Sequence, residues 1–525
     1  MNISILFILV AIVGLIAIWF EFSRTLMMLQ QNSYRLDRYN RYLKTSGEMT
    51  GYGKLSAVII LLISLVSAVP DFIAASLQAV FFLIAATKAA SARQKYKKPL
   101  VRTRRVNRIT AVMCLLAVLL CLWFCLGKNV NGVFYAVSTV CIGCWFASAW
   151  IAIVAVWVLQ PVEKHINRKY VKDAARILAA MPDLKVIGIT GSYGKTSTKH
   201  YLQRILSEKY SVCMTPGSFN TTMGVVRTIR EYLKSYDQVF ICEMGAKQCG
   251  DIKEICDLVH PSVGIVTAVG PQHLESFKTI ENVQRTKFEL VDSLPASGLA
   301  IINDDFEYVA NRPVDNVKAV RYGVKSRPEI EYWVENIAYS ANGTDFTVMS
   351  RDAEPLPLHT QLVGECNVSN LVAAVIAALH LGVERENIRY AVEKIEQVEH
   401  RLSIKRLPGG VTIIDDAFNS NPSGSSMALD VLAAMPGQRI IITPGMIELG
   451  QEQFDHNRRF GEKIARSCDV AIIVGRYNRD AILEGLGSPE GVKVVAVETF
   501  AEAVAMLPKS NYTVLYENDL PDTFK

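Results

Sequence analysis

Lys185-Val-Ile-Gly-Ile-Thr190-Gly-Ser-Tyr-Gly194-Lys-Thr-Ser-Thr198 is the stretch on which the fold turns. Val186, Ile187 and Ile189 make a short β-branched run, the pattern of a buried strand. Glycines at 191 and 194 then bring the chain into a turn, and a helical pattern opens at Lys195. Strand, glycine turn, Gly194-Lys195-Thr196 and helix are the parts of a phosphate loop. Free backbone N–H groups at the helix start surround an anion, the Lys195 ammonium neutralises terminal phosphates, and the Thr196 hydroxyl can hold Mg2+. Ile189 stands where the commonest form of the loop has its first glycine, so a chance match competes with this reading.

Upstream, the composition changes. Half of the 525 residues are apolar and a fifth are charged, and the apolar excess lies almost wholly before residue 160. Ile3 to Phe20, Leu55 to Val69, Phe72 to Ala86, Ile109 to Leu126 and Val133 to Leu159 predict about five membrane crossings in a transmembrane domain at 1–160, the last run long enough to tilt. Residues 21–54 and 88–108 are rich in Arg and Lys, from Arg24 to Lys54 and from Lys88 to Arg108. The alternate connections hold one Lys, Lys128. Basic loops stay inside, so the N-terminus is expected outside, the protein multi-pass in the cell membrane, and everything after 160 cytoplasmic with access to ATP. The eleven cysteines are scattered, and Cys141 and Cys144 sit inside an apolar run, which favours packing over a metal or redox site. The net charge of +6 calls for no nucleic acid.

Downstream, further segments follow in order. Ile241-Cys-Glu-Met-Gly-Ala246 ends a β-run on an acid, and Gln272-His-Leu-Glu-Ser-Phe277 follows the apolar run Val263 to Val269. Thr286-Lys-Phe-Glu-Leu290 lies in a helical pattern, and Gly364-Glu-Cys-Asn-Val-Ser-Asn370 leads into an Ala-rich helix. His400-Arg-Leu402, Asp415-Asp-Ala-Phe-Asn-Ser-Asn-Pro422 and Glu448-Leu-Gly450 come later. Together with the loop at 190–196, this series resembles the motifs of the Mur ligases, in their order, over about residues 185–500. The Asp415–Pro422 form is similar to the branch that adds D-alanyl-D-alanine.

The resemblance implies an α/β fold after the transmembrane domain. An amphipathic linker helix at 161–184 leads to a P-loop central Mur ligase domain at 185–398 and a Rossmann-like C-terminal domain at 399–525. It also implies the site. ATP would lie on Gly191, Ser192, Tyr193, Gly194, Lys195, Thr196 and Ser197, with Asn367 and Asn370 at the adenine and Arg401, Asp415 and Asn419 also on the nucleotide. Mg2+ would be held by Thr196, Glu243 and His273, and Lys287 would be carbamylated; Lys195, Lys287, His273 and Arg401 form the catalytic set. Without the resemblance, plainer readings compete. Glu243 is then a loop acid, His273 a capping residue, Lys287 a solvated helix face, and Asn367 and Asn370 helix caps. Arg401 is a surface ion pair, and Asp415, Asp416 and Asn419 form a turn.

The function so implied is ATP-dependent, ADP-forming amide ligation through an acyl phosphate, in cell-wall peptidoglycan precursor synthesis. The family's usual UDP-sugar-binding domain has no room between Leu159 and Lys185, so the acceptor carboxylate is expected to be lipid-linked or otherwise at the bilayer. Cys366 replaces a usual histidine. Pro444-Gly-Met446 and Tyr516-Glu-Asn-Asp519 depart from the D-alanyl-D-alanine branch, leaving an amino acid, a dipeptide or ammonia open as the amine; Glu517, Asp519 and Asp522 are candidates to meet its ammonium. A poly-γ-glutamate-type synthase, the ligase subunit of an amidotransferase, and a membrane protein with a regulatory P-loop ATPase are the alternatives.

Overall fold

The apolar runs before residue 160 fold as helices: α1 (Ile3–Gln31), α3 (Tyr52–Leu65), α4 (Asp71–Ala92), α5 (Arg104–Cys125), α6 (Val130–Phe146) and α7 (Ser148–Ala179), with a short polar α2 (Leu36–Thr45) between the first two. The computed structural model describes residues 3–46, 49–66, 69–92, 98–340, 343–418, 420–487 and 491–520. It divides into two units, the first up to Ile166 and the second Asn167–Asp519. Part of the basic loop, residues 93–97, lies outside the described residues.

In the first unit, Thr103 caps α5 by accepting from the Val106 N–H at 3.2 Å, and Asn129 caps α6 by accepting from the Gly132 N–H at 2.8 Å. Small and sulfur-bearing residues such as Ala17, Ala57, Ala152 and Cys141 face inward, whereas Leu15, Leu62, Leu119, Trp123 and Trp157 face outward. Among the described residues, four of its helices, within Ser4–Gln31, Asp71–Ala89, Arg104–Cys125 and Ser148–Ala179, are long and apolar enough to cross a membrane, and the apolar α3 and α6 are shorter. The run from Leu55 folds as the 14-residue α3, about 21 Å long at 1.5 Å per residue.

The run Val133 to Leu159 also differs from expectation, because it breaks at Ala147. The reason lies far away in sequence. Lys54 Nζ lies within hydrogen-bond distance of the carbonyl oxygens of Trp145 at 2.7 Å and Phe146 at 3.2 Å, of Ser148 Oγ at 3.1 Å and of Glu21 Oε1 at 2.9 Å. A buried ammonium thus takes up the carbonyls that the end of α6 leaves free. Nor is the stretch from 161 a separate linker helix. α7 runs through Pro161 to Ala179, the proline removing one hydrogen bond without ending the helix.

The second unit holds two sheets. β1 (Lys185–Thr190), β2 (Val212–Met214), β3 (Val239–Glu243), β4 (Val263–Val266), β5 (Leu299–Asn303), β6 (Lys318–Tyr322), β7 (Tyr332–Ser340), β8 (Gly343–Ser350) and β9 (Leu356–Thr360) form one sheet in the order β2-β3-β1-β4-β5-β6-β7-β8-β9. It is parallel through β7, and its last three strands are antiparallel. β10 (Ser403–Leu407), β11 (Val411–Asp416), β12 (Gln438–Thr443), β13 (Val470–Val474), β14 (Lys493–Val497) and β15 (Tyr512–Glu517) form the other, in the order β10-β11-β15-β12-β13-β14. Only β10 is antiparallel there.

β1 is flanked by β3 and β4, with Ile189 opposite Glu243 and Thr190 opposite Val266. Three carboxyl ends therefore converge where an open α/β sheet presents its ligand site. One face is sealed by α8 (Lys195–Leu206) and the helix Glu365–His380, the other by the helices Asp251–Val259 and Ile280–Asp292. Gly188 permits the close approach of that last helix, since a Cβ there would fall 2.6 Å from Leu290 Cδ1.

Candidate active site

The loop between β1 and α8 depends on Gly194, whose φ of +81° opens the helix and whose absent Cβ would lie 2.3 Å from Asn370 Oδ1. Ser192 and Tyr193 brace the loop from behind. The Ser192 hydroxyl donates to the Gly270 carbonyl at 3.0 Å and accepts from the Gly270 N–H at 3.1 Å. Tyr193 is held by Thr267, which donates to its carbonyl at 2.5 Å, and by Ser423, whose hydroxyl donates to its phenol oxygen at 3.3 Å. Lys195 curls over the loop, donating to the carbonyls of Gly191 at 2.7 Å and Ser192 at 3.3 Å. Burial pushes its pKa down to about 8, with Arg401 adding to the effect and Glu243 opposing it. Ser197 is buried in the first turn of α8.

Glu243, 1% exposed, ends β3 beside this loop. Thr196 Oγ1 lies 3.2 Å from each of its carboxylate oxygens, Asn220 Nδ2 donates to Oε1 at 3.0 Å, and Lys199 Nζ is 3.0 Å from Oε2. Burial alone would raise the Glu243 pKa, but the charges of Lys199 and Lys195 outweigh it and hold the carboxyl below its usual range. The donors suit Mg2+: hard oxygens, with a hydroxyl and a carboxylate spaced close to the separation of about 2.9 Å that neighbouring ligands take in an octahedron with 2.0–2.1 Å bonds. Among the described residues there is no group of three or more His, Cys, Asp or Glu that could hold a metal alone. Thr196 and Glu243 alone would leave the other positions around such an ion to further ligands.

His273 makes its side-chain contact elsewhere. Its φ of +52° starts the short helix Leu274–Phe277, and its Nδ1 bonds Glu448 Oε2 across to the other sheet's domain. Burial lowers its pKa, against the opposing pull of Glu448. Lys287 is 2% exposed and so not on a solvated face. Burial pushes its pKa down to about 7, with the like charge of Lys195 adding to the effect.

Asn367 and Asn370 are not caps either: the cap of their helix is Gly364, and no side chain serves there. Asn367 Nδ2 donates to the Val363 carbonyl at 2.8 Å and its Oδ1 accepts from the Tyr201 hydroxyl at 2.8 Å, while Asn370 Oδ1 accepts from Thr198 at 3.3 Å. Both brace α8 from behind. Arg401 lies with its guanidinium 4.2 Å from the Phe418 ring, its pKa lowered by burial. Asp415 accepts from His400 Nδ1 at 2.8 Å. Asn419 and Asp522 lie outside the described residues. A cleft of about 750 Å3 runs from Thr196 and His200 past Gly217 to His400, Arg401 and Phe418, room for a nucleotide extending from the loop.

Sequence reasoning missed Lys199, Asn220 and the partner role of Glu448. A lysine in a helical pattern carries no mark of burial, and the others act through contacts distant in the chain. At the edge of the second sheet Asp416 pairs in register with Glu517, and burial raises both, Asp416 to about 6 and Glu517 well above the carboxylate range. Glu517, expected in a tail that could meet an ammonium, is 0% exposed and accepts from Ser420 Oγ at 2.5 Å.

Known proteins are similar to this chain over its second unit. The Mur ligase middle domain family matches residues 189–378, and the Mur ligase, glutamate ligase domain family matches residues 400–515. A UDP-N-acetylmuramoyl-tripeptide–D-alanyl-D-alanine ligase of Escherichia coli (strain K12) is 28% identical over 365 residues, covering 68% of this chain and 78% of the relative. The ligase of that name from Mycobacterium leprae (strain TN) is 31% identical over 354 residues, covering 61% of this chain and 68% of the relative. Crystal structure I of MurF from Acinetobacter baumannii has a TM-score of 0.62 and 26% identity, covering 68% of this chain and 78% of that one. The helical first unit lies outside both family matches.

Proposed function

We propose a function from one premise: the chain belongs to the Mur ligase family of ATP-dependent, ADP-forming amide ligases of peptidoglycan precursor synthesis. Our reading is a membrane-anchored ligase that activates an acceptor carboxylate as an acyl phosphate. The observation that carries it is Thr196 and Glu243 facing each other at 3.2 Å beside the buried Lys195 ammonium, at the mouth of a nucleotide-sized cleft.

In this reading a carboxylate oxygen of the acceptor attacks the γ-phosphorus of ATP and the bond to ADP breaks. The amine nitrogen then attacks the acyl carbon, the carbon–oxygen bond breaks, phosphate leaves with the acceptor's oxygen, and the nitrogen gives up a proton. Lys195 and Arg401 neutralise the phosphates, and Thr196 and Glu243 would hold the Mg2+, which supplies further charge neutralisation at the transferred phosphoryl group. Lys287 has a free-amine fraction at neutral pH, the form able to take up CO2 as a carbamate. That would replace a cation beside Lys195 with an anion. The His273–Glu448 bond ties the central domain to the C-terminal one and would help keep water from the acyl phosphate.

The outward apolar side chains of the first unit and its four long apolar helices support a bilayer anchor. A lipid-linked muramoyl peptide follows as the acceptor. The relatives' names supply D-alanyl-D-alanine as the first amine to try. The test is mass analysis of product from full-length protein in detergent, given lipid-linked or UDP-linked muramoyl tripeptide with D-alanyl-D-alanine, single amino acids or ammonia. A new amide on the lipid-linked acceptor supports the whole reading. Equal use of both acceptors overturns the lipid part, and no amide with any pair overturns the ligase.

A further inference from the structure

Lys199 lies one turn along α8 from Thr196, and its side chain is 0% exposed. Its ammonium is 3.0 Å from Glu243 Oε2 and donates at 2.7 Å to the carbonyl of Gly217. Gly217 belongs to the loop between β2 and the helix Thr222–Glu231, and so does Asn220, which donates to the other oxygen of Glu243 at 3.0 Å. Gly217 and Ser218 line the cleft next to Thr196. One ammonium therefore joins α8, the end of β3 and the loop that borders the cleft.

Three donors converge on the carboxylate of Glu243. The single proton of the Thr196 hydroxyl lies within reach of both oxygens, Asn220 donates to one and Lys199 holds the other. A dication arriving alone would have to sit within a few ångströms of a fixed cation in a place where solvent screens little. Lys199 cannot swing aside without giving up the Gly217 carbonyl in a buried position. Nucleotide phosphates entering at Lys195 change that balance, because they bring the negative charge that the dication needs.

We propose that Lys199 is a positioning residue, the resident counter-cation of Glu243, which keeps the carboxylate aimed at Thr196 and makes uptake of Mg2+ conditional on nucleotide. The proposal rests on the reading of Glu243 and Thr196 as metal ligands, and its test separates the two.

Mn2+ serves as the probe, with free ion counted by electron paramagnetic resonance on full-length protein in detergent, with and without ADP. The native protein is expected to bind Mn2+ at least about tenfold more tightly with ADP than without. Lys199→Met is expected to bind Mn2+ without ADP at least about tenfold more tightly than the native protein does. Lys199→Arg keeps the native dependence, and Lys199→Met/Glu243→Gln, which leaves no unpaired charge, binds no Mn2+ without ADP. Thermal unfolding reports whether each variant is folded. Tight Mn2+ binding by the native protein in the absence of ADP overturns the proposal whatever the variants do, and so does a folded Lys199→Met with native affinity. Glu243→Gln with undiminished Mn2+–ADP binding overturns the ligand reading instead, and the proposal with it.

Discussion

Two buried lysine–glutamate pairs, one in each unit, share nearly the same contact. Lys54 meets Glu21 at 2.9 Å among the apolar helices, and Lys199 meets Glu243 at 3.0 Å under the phosphate loop. Their surroundings make them different things. Lys54 shares its remaining donors among two carbonyls and a serine within reach at the break between α6 and α7, which is a structural cap. Glu243 instead faces a hydroxyl at the open edge of a parallel sheet, next to a second lysine and a cleft. A buried ion pair alone says little about function. What its free side faces decides.

The comparison breaks most visibly if Lys54 is lost. Lys54→Met leaves Glu21 to Arg24 and Ser148, strands the Trp145 and Phe146 carbonyls, and should cost about 3–5 kcal/mol of stability in the first unit. Thermal unfolding in detergent should show this loss, with much of it recovered in Lys54→Met/Glu21→Gln. ATP-dependent turnover per folded molecule should be unchanged. Lys195→Ala should do the reverse, leaving stability near native and lowering acceptor-dependent phosphate release by roughly 10²–10³-fold.

A third, smaller effect concerns Asp416. Its folded pKa, about 6, lies above the ordinary 3.8, so the native state holds a proton that the unfolded chain gives up sooner. That contribution is present below about pH 4 and is lost as pH rises through 6. Unfolding measured between pH 4 and 7 should therefore show a slope, of order 1–3 kcal/mol in total, that Asp416→Asn reduces, the paired Glu517 supplying the remainder. The smallest expected effect is at Lys287. Stripping dissolved CO2 at pH 7 should lower turnover a few-fold and bicarbonate should restore it, with the response absent in Lys287→Gln.

The site at β1 was legible because local chemistry dictates it: a β-branched run, then glycines where the backbone needs positive φ, then Gly194-Lys195-Thr196. Glu243 was legible as an acid at a strand end. Its neighbours were not, since Lys199 and Asn220 reach it through a register between β1 and β3 that only the folded sheet fixes. Likewise the break at Ala147 has no local signal, because the lysine that holds it, Lys54, sits 91 positions before Trp145. The cap reading of Asn367 and Asn370 failed for the same reason; both are held by α8 residues well over a hundred positions earlier.

The central claim is that phosphate leaves carrying an oxygen of the acceptor. A muramoyl-peptide acceptor labelled with ¹⁸O in its carboxylate, incubated with full-length protein, ATP, Mg2+ and amine, tests it by mass analysis of the phosphate released. The account predicts one labelled oxygen in each phosphate, amide formed in equal amount, and neither in Lys195→Ala. Unlabelled phosphate, released whether or not acceptor and amine are present, would contradict it and leave an ATPase in place of a ligase.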